Sequence, residues 1–280
     1  MAESRGILVV TVRDADCGKV MQGAAVSISC DRGRCTGVSD ANGIVSFSIP
    51  TPAVANSYTP NPRERPYTAV DLRIVLAGYV TVGIVGEQIF PSETTRQTVM
   101  MGTLDRPSED GTPMQLERVI VIPQHQLYTG GDEPRVENLS ELDPTPSKSP
   151  EALPTMKEAQ VPSTVRVHLG PPDADAQTVN VPFSEYMKNV ASSELYPTWP
   201  EQSLRSNVAK QASLVLDRLR NSRYPSQGYD FDVTNSPAYD LQYVHERGLF
   251  DRTSRAVDDW LYENGGPYGR RTKRRQEGNE

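Results

Sequence analysis

Apolar and polar positions alternate through the first hundred residues. "ILVV" (7–10) is a short β-branched run, Val26, Ile28 and Cys30 fall on every second position, and so do Val45, Phe47 and Ile49. A period of two is that of a half-buried strand. "DANG" (40–43), between Val38 and Ile44, supplies an Asn-Gly turn and predicts a hairpin. "AVDLRIVLAGYVTVGIVGEQIF" adds further alternation with Gly78 as a turn, and "TTRQTVMMGTL" closes the block. Short strands at regular spacing over residues 1–103 predict a small antiparallel β-sandwich.

Between 104 and 178 the pattern lapses. Eleven of the 23 prolines fall there among Ser, Asp, Glu and Thr, the composition of a semi-extended linker. Two apolar pieces, "LERVIVIP" (116–123) and "STVRVHLG" (163–170), read as short strands that pack back on a neighbour.

Beyond 179 the period becomes helical. Phe183, Met187, Val190 and Glu194 are spaced four, three and four, one stripe of a helix near 183–195 that stops before Pro197. In "TWPE" (198–201), Thr198 is placed to cap a second helix and Glu201 to bond back, a capping box. Its buried line is Leu204, Val208, Ala212, Val215 and Leu219. The stretch 229–248 has no helical period and is rich in Tyr, Asn, Asp and Ser. A third helix, 250–263, turns Phe250, Val257 and Leu261 inward and ends at Asn264-Gly265. The expected fold class is α+β and multidomain: a β-sandwich (1–103), a Pro-rich linker (104–178), a mainly helical domain (179–264) and a basic disordered tail (265–280).

Charge and cysteine content narrow the picture. A formal net charge of −7 over 280 residues argues against nucleic acid, whose phosphates need clustered Lys and Arg. The run "GRRTKRR" (269–275) reads as a solvated end, with contact to an anionic polymer as the alternative. No apolar run reaches the ~20 residues of a membrane span. "MAESRGILVVTVRDAD" lacks the basic lead and cleavage site of a signal peptide. Cys30 and Cys35 could face each other across a hairpin, and two reduced thiols flanking a turn is the favoured reading. With three cysteines and three scattered histidines no zinc site is expected, and no cofactor is implied.

The unusual feature is Glu194, a carboxylate on an apolar helix stripe. Such a stripe raises a carboxyl's pKa by desolvation, which suits a general acid at neutral pH. "VPFSEYMKNVASSELYPTWPEQSLRSNVAKQ" and "YDFDVTNSPAYDLQYVHERGLFD" resemble the SpoIID/LytB family, nearest to SleC-type spore cortex-lytic enzymes. Ser193-Glu194, Trp199-Pro200 and Leu204 carry that resemblance, and the strand-rich start is similar to a carboxypeptidase-regulatory-like (transthyretin-like) sandwich. The resemblance implies a peptidoglycan lytic transglycosylase at the spore cortex or coat, or the cell envelope, with Glu194 as the single acid/base. It also implies that the second half of the catalytic domain is missing. Tyr196 and Trp199 are then candidate sugar platforms, and Asn235, Ser236, Tyr239, Asp240 and His245 candidates for the cleft wall. Thr234, Asn235 and Tyr239 stand where zinc-binding relatives carry Cys and His, so no metal is implied. For Trp199 the alternative is that it anchors one helix on the next. Three readings follow: an enzyme that cuts glycan strands, a non-catalytic relative that binds glycan or serves a structural role, and a protein whose working part is the sandwich.

Overall fold

The computed structural model describes residues 4–53, 65–104, 117–125, 127 and 161–265. The basic run 269–275 and most of the Pro-rich stretch lie outside the described residues. Two compact units emerge: Met1–Glu133 with Val244–Asp251, and Pro134–Tyr243 with Arg252–Glu280.

The first unit holds β1 (Ser4–Asp14), β2 (Ala25–Cys30), β3 (Gly33–Val38), β4 (Ile44–Thr51), β5 (Thr68–Val75), β6 (Thr81–Ile89), β7 (Thr94–Met101), β8 (Glu117–Val121) and, much later in the chain, β12 (Leu249–Phe250). They form a four-stranded sheet, β12-β7-β1-β4, and a five-stranded sheet, β3-β2-β5-β6-β8. Alternation decides what is buried: Leu8, Val10 and Val12 from β1 share one core with Val26 and Ile28, Leu72 and Ile74, and Val82 and Ile84.

The sandwich departs from an all-antiparallel one. β1 runs parallel to β7, and β6 parallel to β8. A period of two marks a strand but not its direction, and parallel neighbours arrive by long connections rather than tight turns. The "DANG" turn also joins different partners from those expected. Asp40 accepts from the backbone N–H of Asn42 and Ile44, and Gly43 takes φ +72°, so the turn forms locally. It connects β3, in the five-stranded sheet, to β4, in the four-stranded one, and is no hairpin. The hairpin is β2–β3, in which Cys30 faces Gly33 and Cys35 faces Ile28. Both thiols are free.

A bulge in the β5–β6 ladder sets two β6 residues, Val85 and Gly86, against Asp71, whose carboxylate accepts the Gly86 N–H at 2.9 Å. Gly86 has φ +82°, and a Cβ there would stand 2.7 Å from the Ile122 carbonyl oxygen. Gly86→Ala therefore meets left-handed strain and a backbone clash together, and is expected to cost about 2 kcal/mol in urea denaturation. A loss under ~0.5 kcal/mol would show that the bulge relaxes freely.

The second unit contains β9 (Thr164–His168), β10 (Thr178–Pro182) and β11 (Val233–Thr234), with α1 (Phe183–Glu194), α2 (Glu201–Arg220) and α3, of which Arg252 onward belongs here (Asp251–Glu263). β9 is the centre of a sheet ordered β10-β9-β11. The expectation of a mainly helical C-terminal domain is corrected accordingly. Among the described residues three α-helices share it with a three-stranded sheet and a long irregular segment, and over both units strands outnumber helices. β9 comes from the β-branched "STVRVHLG", whose Val165 and Val167 bury one face. α2 begins at Glu201 with Pro200 at its cap and no side-chain cap bond, so the Thr198 capping box does not form. Pro200 is extended, at φ −52° and ψ 143°, and stands just before the first helical residue.

Candidate functional site

α1 buries its stripe as its spacing demands: Phe183, Met187 and Val190 are closed from solvent, and Glu194, at the helix C-terminus, is only 4% exposed. Its carboxylate is held from two directions. Gln211 of α2 donates its Nε2–H to Oε2 at 2.8 Å, and the backbone N–H of Gln242 donates to Oε1 at 2.8 Å. Burial pushes the carboxyl up to about 7, against those two hydrogen bonds, which pull it down. The negative end of the α1 dipole acts in the same direction as burial. The result is an acid that is about half protonated at neutral pH.

The turn between α1 and α2 is pinned by Arg252, which donates to the carbonyls of Pro197 at 2.8 Å and Trp199 at 2.9 Å. Tyr196 and Trp199 meet edge to face at 6.1 Å, and both are fully buried. They are core side chains here, with no ring face offered to solvent, so Trp199 takes the anchoring role.

The irregular segment is organised around Asp240. This buried carboxylate accepts the Tyr224 hydroxyl at 2.7 Å, the Thr234 N–H at 2.9 Å and the Thr234 hydroxyl at 2.9 Å, while Arg218 and Arg223 face its other oxygen at 3.5 and 3.8 Å. Burial and the Asp240 hydrogen bond push the Tyr224 phenol up to about 12. Asn235 and Ser236 are half-buried, with the Asn235 N–H on the His168 carbonyl. Tyr239 is 43% exposed and is the one phenol ring among the expected contacts that faces solvent. His245 is exposed and belongs to the first unit. Glu194 and the 235–240 loop are linked through Gln242, two residues past Asp240.

The residues missed from sequence are Gln211, Gln242 and Tyr186. Gln211 is next to Ala212 on the buried line of α2, a polar side chain where an apolar one is due, the same signal that singled out Glu194. Tyr186 is stacked on Tyr243 at 5.6 Å, and burial with the charges of Asp240 and Glu194 pushes its phenol up. Among the described residues the Tyr186 hydroxyl and the side-chain oxygens of Gln211 and Gln242 have no hydrogen-bond partner. Among the described residues no cluster of three or more His, Cys, Asp or Glu could hold a metal, and no helix is long and apolar enough to cross a membrane.

No protein-family model matches the chain, and no curated protein does. Solved structures that match part of it include the TIE protein of Bacillus anthracis, 19% identical over 36% of this chain and 18% of that one, TM-score 0.25. The major pilin subunit BcpA of Bacillus cereus is 18% identical over 36% and 30%, TM-score 0.24. The 3-chlorocatechol 1,2-dioxygenase of Rhodococcus opacus 1CP is 10% identical over 36% and 61%, TM-score 0.27. The chain spans less than two thirds of each, and TM-scores this low carry neither fold nor function across. The SpoIID/LytB resemblance is corrected: no family model supports it, and the matching structures named here are the TIE protein, a pilin subunit and a dioxygenase, none of them a SpoIID or SleC protein. The lytic-transglycosylase, sporulation and carboxypeptidase-regulatory-like assignments fall with it. The motif residues have a packing account instead. The Ser193 hydroxyl bonds back to the Asn189 carbonyl at 2.9 Å, and Trp199 and Leu204 are core.

Proposed function

We propose that the chain is a non-catalytic protein that holds glycan strands of peptidoglycan at the cell envelope, as a binding or structural component. The observation that carries this reading is the closure of Glu194: both oxygens are taken by protein donors and the side chain is buried, which suits a structural acid better than one poised at substrate. The exposed Tyr239, beside Asn235 and Ser236, supports the binding half, since a flat amphipathic ring among polar groups suits a sugar face.

Co-sedimentation of the purified chain with isolated sacculi tests it. Wild type is expected in the pellet, and Tyr239→Ala is expected to bind roughly threefold to tenfold more weakly. Wild type left in the supernatant would end this reading. A second reading is favoured by the pKa of about 7: Glu194 as acid/base in glycan cleavage. Soluble fragments released by wild type and not by Glu194→Gln would establish it and displace the first.

A further inference from the structure

Val244–Asp251 belongs to the first unit although more than a hundred residues separate it from the unit's other described strands. Its contacts are those of a docked peptide. β12 adds to the edge of β7, with Leu249 opposite Arg96 and Phe250 opposite Thr95. Phe250 is fully buried and meets Phe90 edge to face at 5.1 Å. The Glu246 carbonyl accepts from the Gln97 amide at 3.0 Å, and its carboxylate pairs with Arg118 at 2.5 Å. At the far end Arg96 grips Asp251 with two bonds, at 2.6 and 2.9 Å.

The middle of the segment carries the unusual chemistry. Glu87 of β6 is wholly buried, yet it is a carboxylate, and it accepts the Gly248 N–H at 3.1 Å. The neighbouring buried cation is Arg247, whose guanidinium lies over the Phe250 ring at 5.1 Å and donates to the Gln88 side chain at 3.3 Å. Burial raises Glu87 and lowers Arg247 to about 10, while the charge of each favours the ionised form of the other. Gly248 lets the backbone come this close, because a Cβ there would stand 2.9 Å from the Glu87 carboxyl. Glu246 takes φ +62°, a left-handed conformation that persists in a non-glycine residue only where its surroundings enforce it.

We propose that the first unit is a peptide-docking module whose edge groove, formed by Glu87, Gln88, Phe90, Arg96, Gln97 and Arg118, is filled in cis by the chain's own Val244–Asp251, with Arg247 as the specificity key for buried Glu87. This is strand addition with one charged pocket: main-chain pairing supplies the ladder, and the buried acid selects an arginine followed by glycine. The occupant is this segment of the same molecule. Among the described residues Arg247 is the cation that acts on Glu87.

Hydrogen–deuterium exchange on the full chain tests the proposal. In wild type, the Gly248–Phe250 amides are expected to exchange in step with β7; exchange within seconds while β1 and β7 stay protected would overturn it. Arg247→Met strands Glu87 and is expected to speed exchange across 246–250 and Thr94–Gln97 roughly hundredfold. Adding Glu87→Gln removes the stranded charge and is expected to recover at least about tenfold of that. Gly248→Ala, which wedges a methyl against Glu87 without touching any charge, is expected to speed the same amides and serves if Arg247→Met does not fold. Rates within threefold of wild type in whichever single variant folds, no recovery in the double variant, or a concentration-dependent dimer that exchanges the segment between molecules would each overturn the assignment.

Discussion

Asp240→Ala is expected to remove about 4 kcal/mol from the stability of the second unit, the largest loss from any single carboxylate there. Its Oδ2 is the sole acceptor shown for three donors, the Tyr224 hydroxyl and the N–H and hydroxyl of Thr234, and both partners are buried, so no water replaces it. Truncation would also leave Arg218 and Arg223 facing each other with the intervening charge removed. Asp240→Asn keeps an acceptor for the three donors and loses only the charge, so about 1–2 kcal/mol is expected. Both tryptophans, Trp199 and Trp260, lie in this unit, so denaturation followed by their fluorescence reads it directly. A loss below ~1 kcal/mol for the alanine variant would mean that the irregular segment is held by something other than this hub.

That hub also marks where sequence pattern stops being informative. The strands with clean alternation and the three buried helix stripes were legible because burial on one face is written at spacings of two, three and four. The segment 229–243 has no such period: its order comes from the Asp240 carboxylate satisfying Tyr224 and Thr234, from β11 beside β9 and from the Gln242 N–H on Glu194, relations of hydrogen-bond geometry that spacing does not encode. β12 was invisible for another reason. Two residues, Leu249 and Phe250, are too few to show alternation, and Phe250 fits the inward face of the following helix equally well until β7 is known to lie beside it. Parallel pairing of β1 with β7 was hidden likewise, since local sequence does not name a strand's neighbour. Within the candidate site, Glu194 stood out as a charge on an apolar stripe and is buried as that stripe requires. The sequence leaves Trp199 a choice between sugar platform and helix anchor, and makes Tyr196 a sugar platform alone. Burial decides for the anchor, because a ring can stack on a ligand only if one face reaches solvent.

The second unit is expected to lose about 3 kcal/mol of stability as pH rises from 4.5 to 7, through Glu194 alone. Folding raises this carboxyl from 4.5 to about 7, a difference of 2.5, and each pKa unit corresponds to about 1.4 kcal/mol. Between those values the folded state keeps the proton and the unfolded state releases it, so the unfolded state binds fewer protons and stability declines with rising pH. Below 4.5 both states are protonated, above 7 both are ionised, and the contribution is flat on either side. Glu194→Gln should abolish this slope while preserving the packing. The new amide presents an oxygen to one donor, and Gln211 can turn its unpartnered oxygen toward the new NH₂. The variant is therefore expected to match wild type near pH 4.5 and to exceed it by about 3 kcal/mol at pH 8. Subtracting the two tryptophan-detected stability curves cancels every other titrating group common to both proteins. A flat difference across pH 4.5–8 would show that Glu194 is ionised in the folded state throughout, with Gln211 and the Gln242 N–H outweighing burial. The proton-bearing acid on which the glycan-cleaving reading depends would then be absent, and the closed structural acid would be a permanent anion.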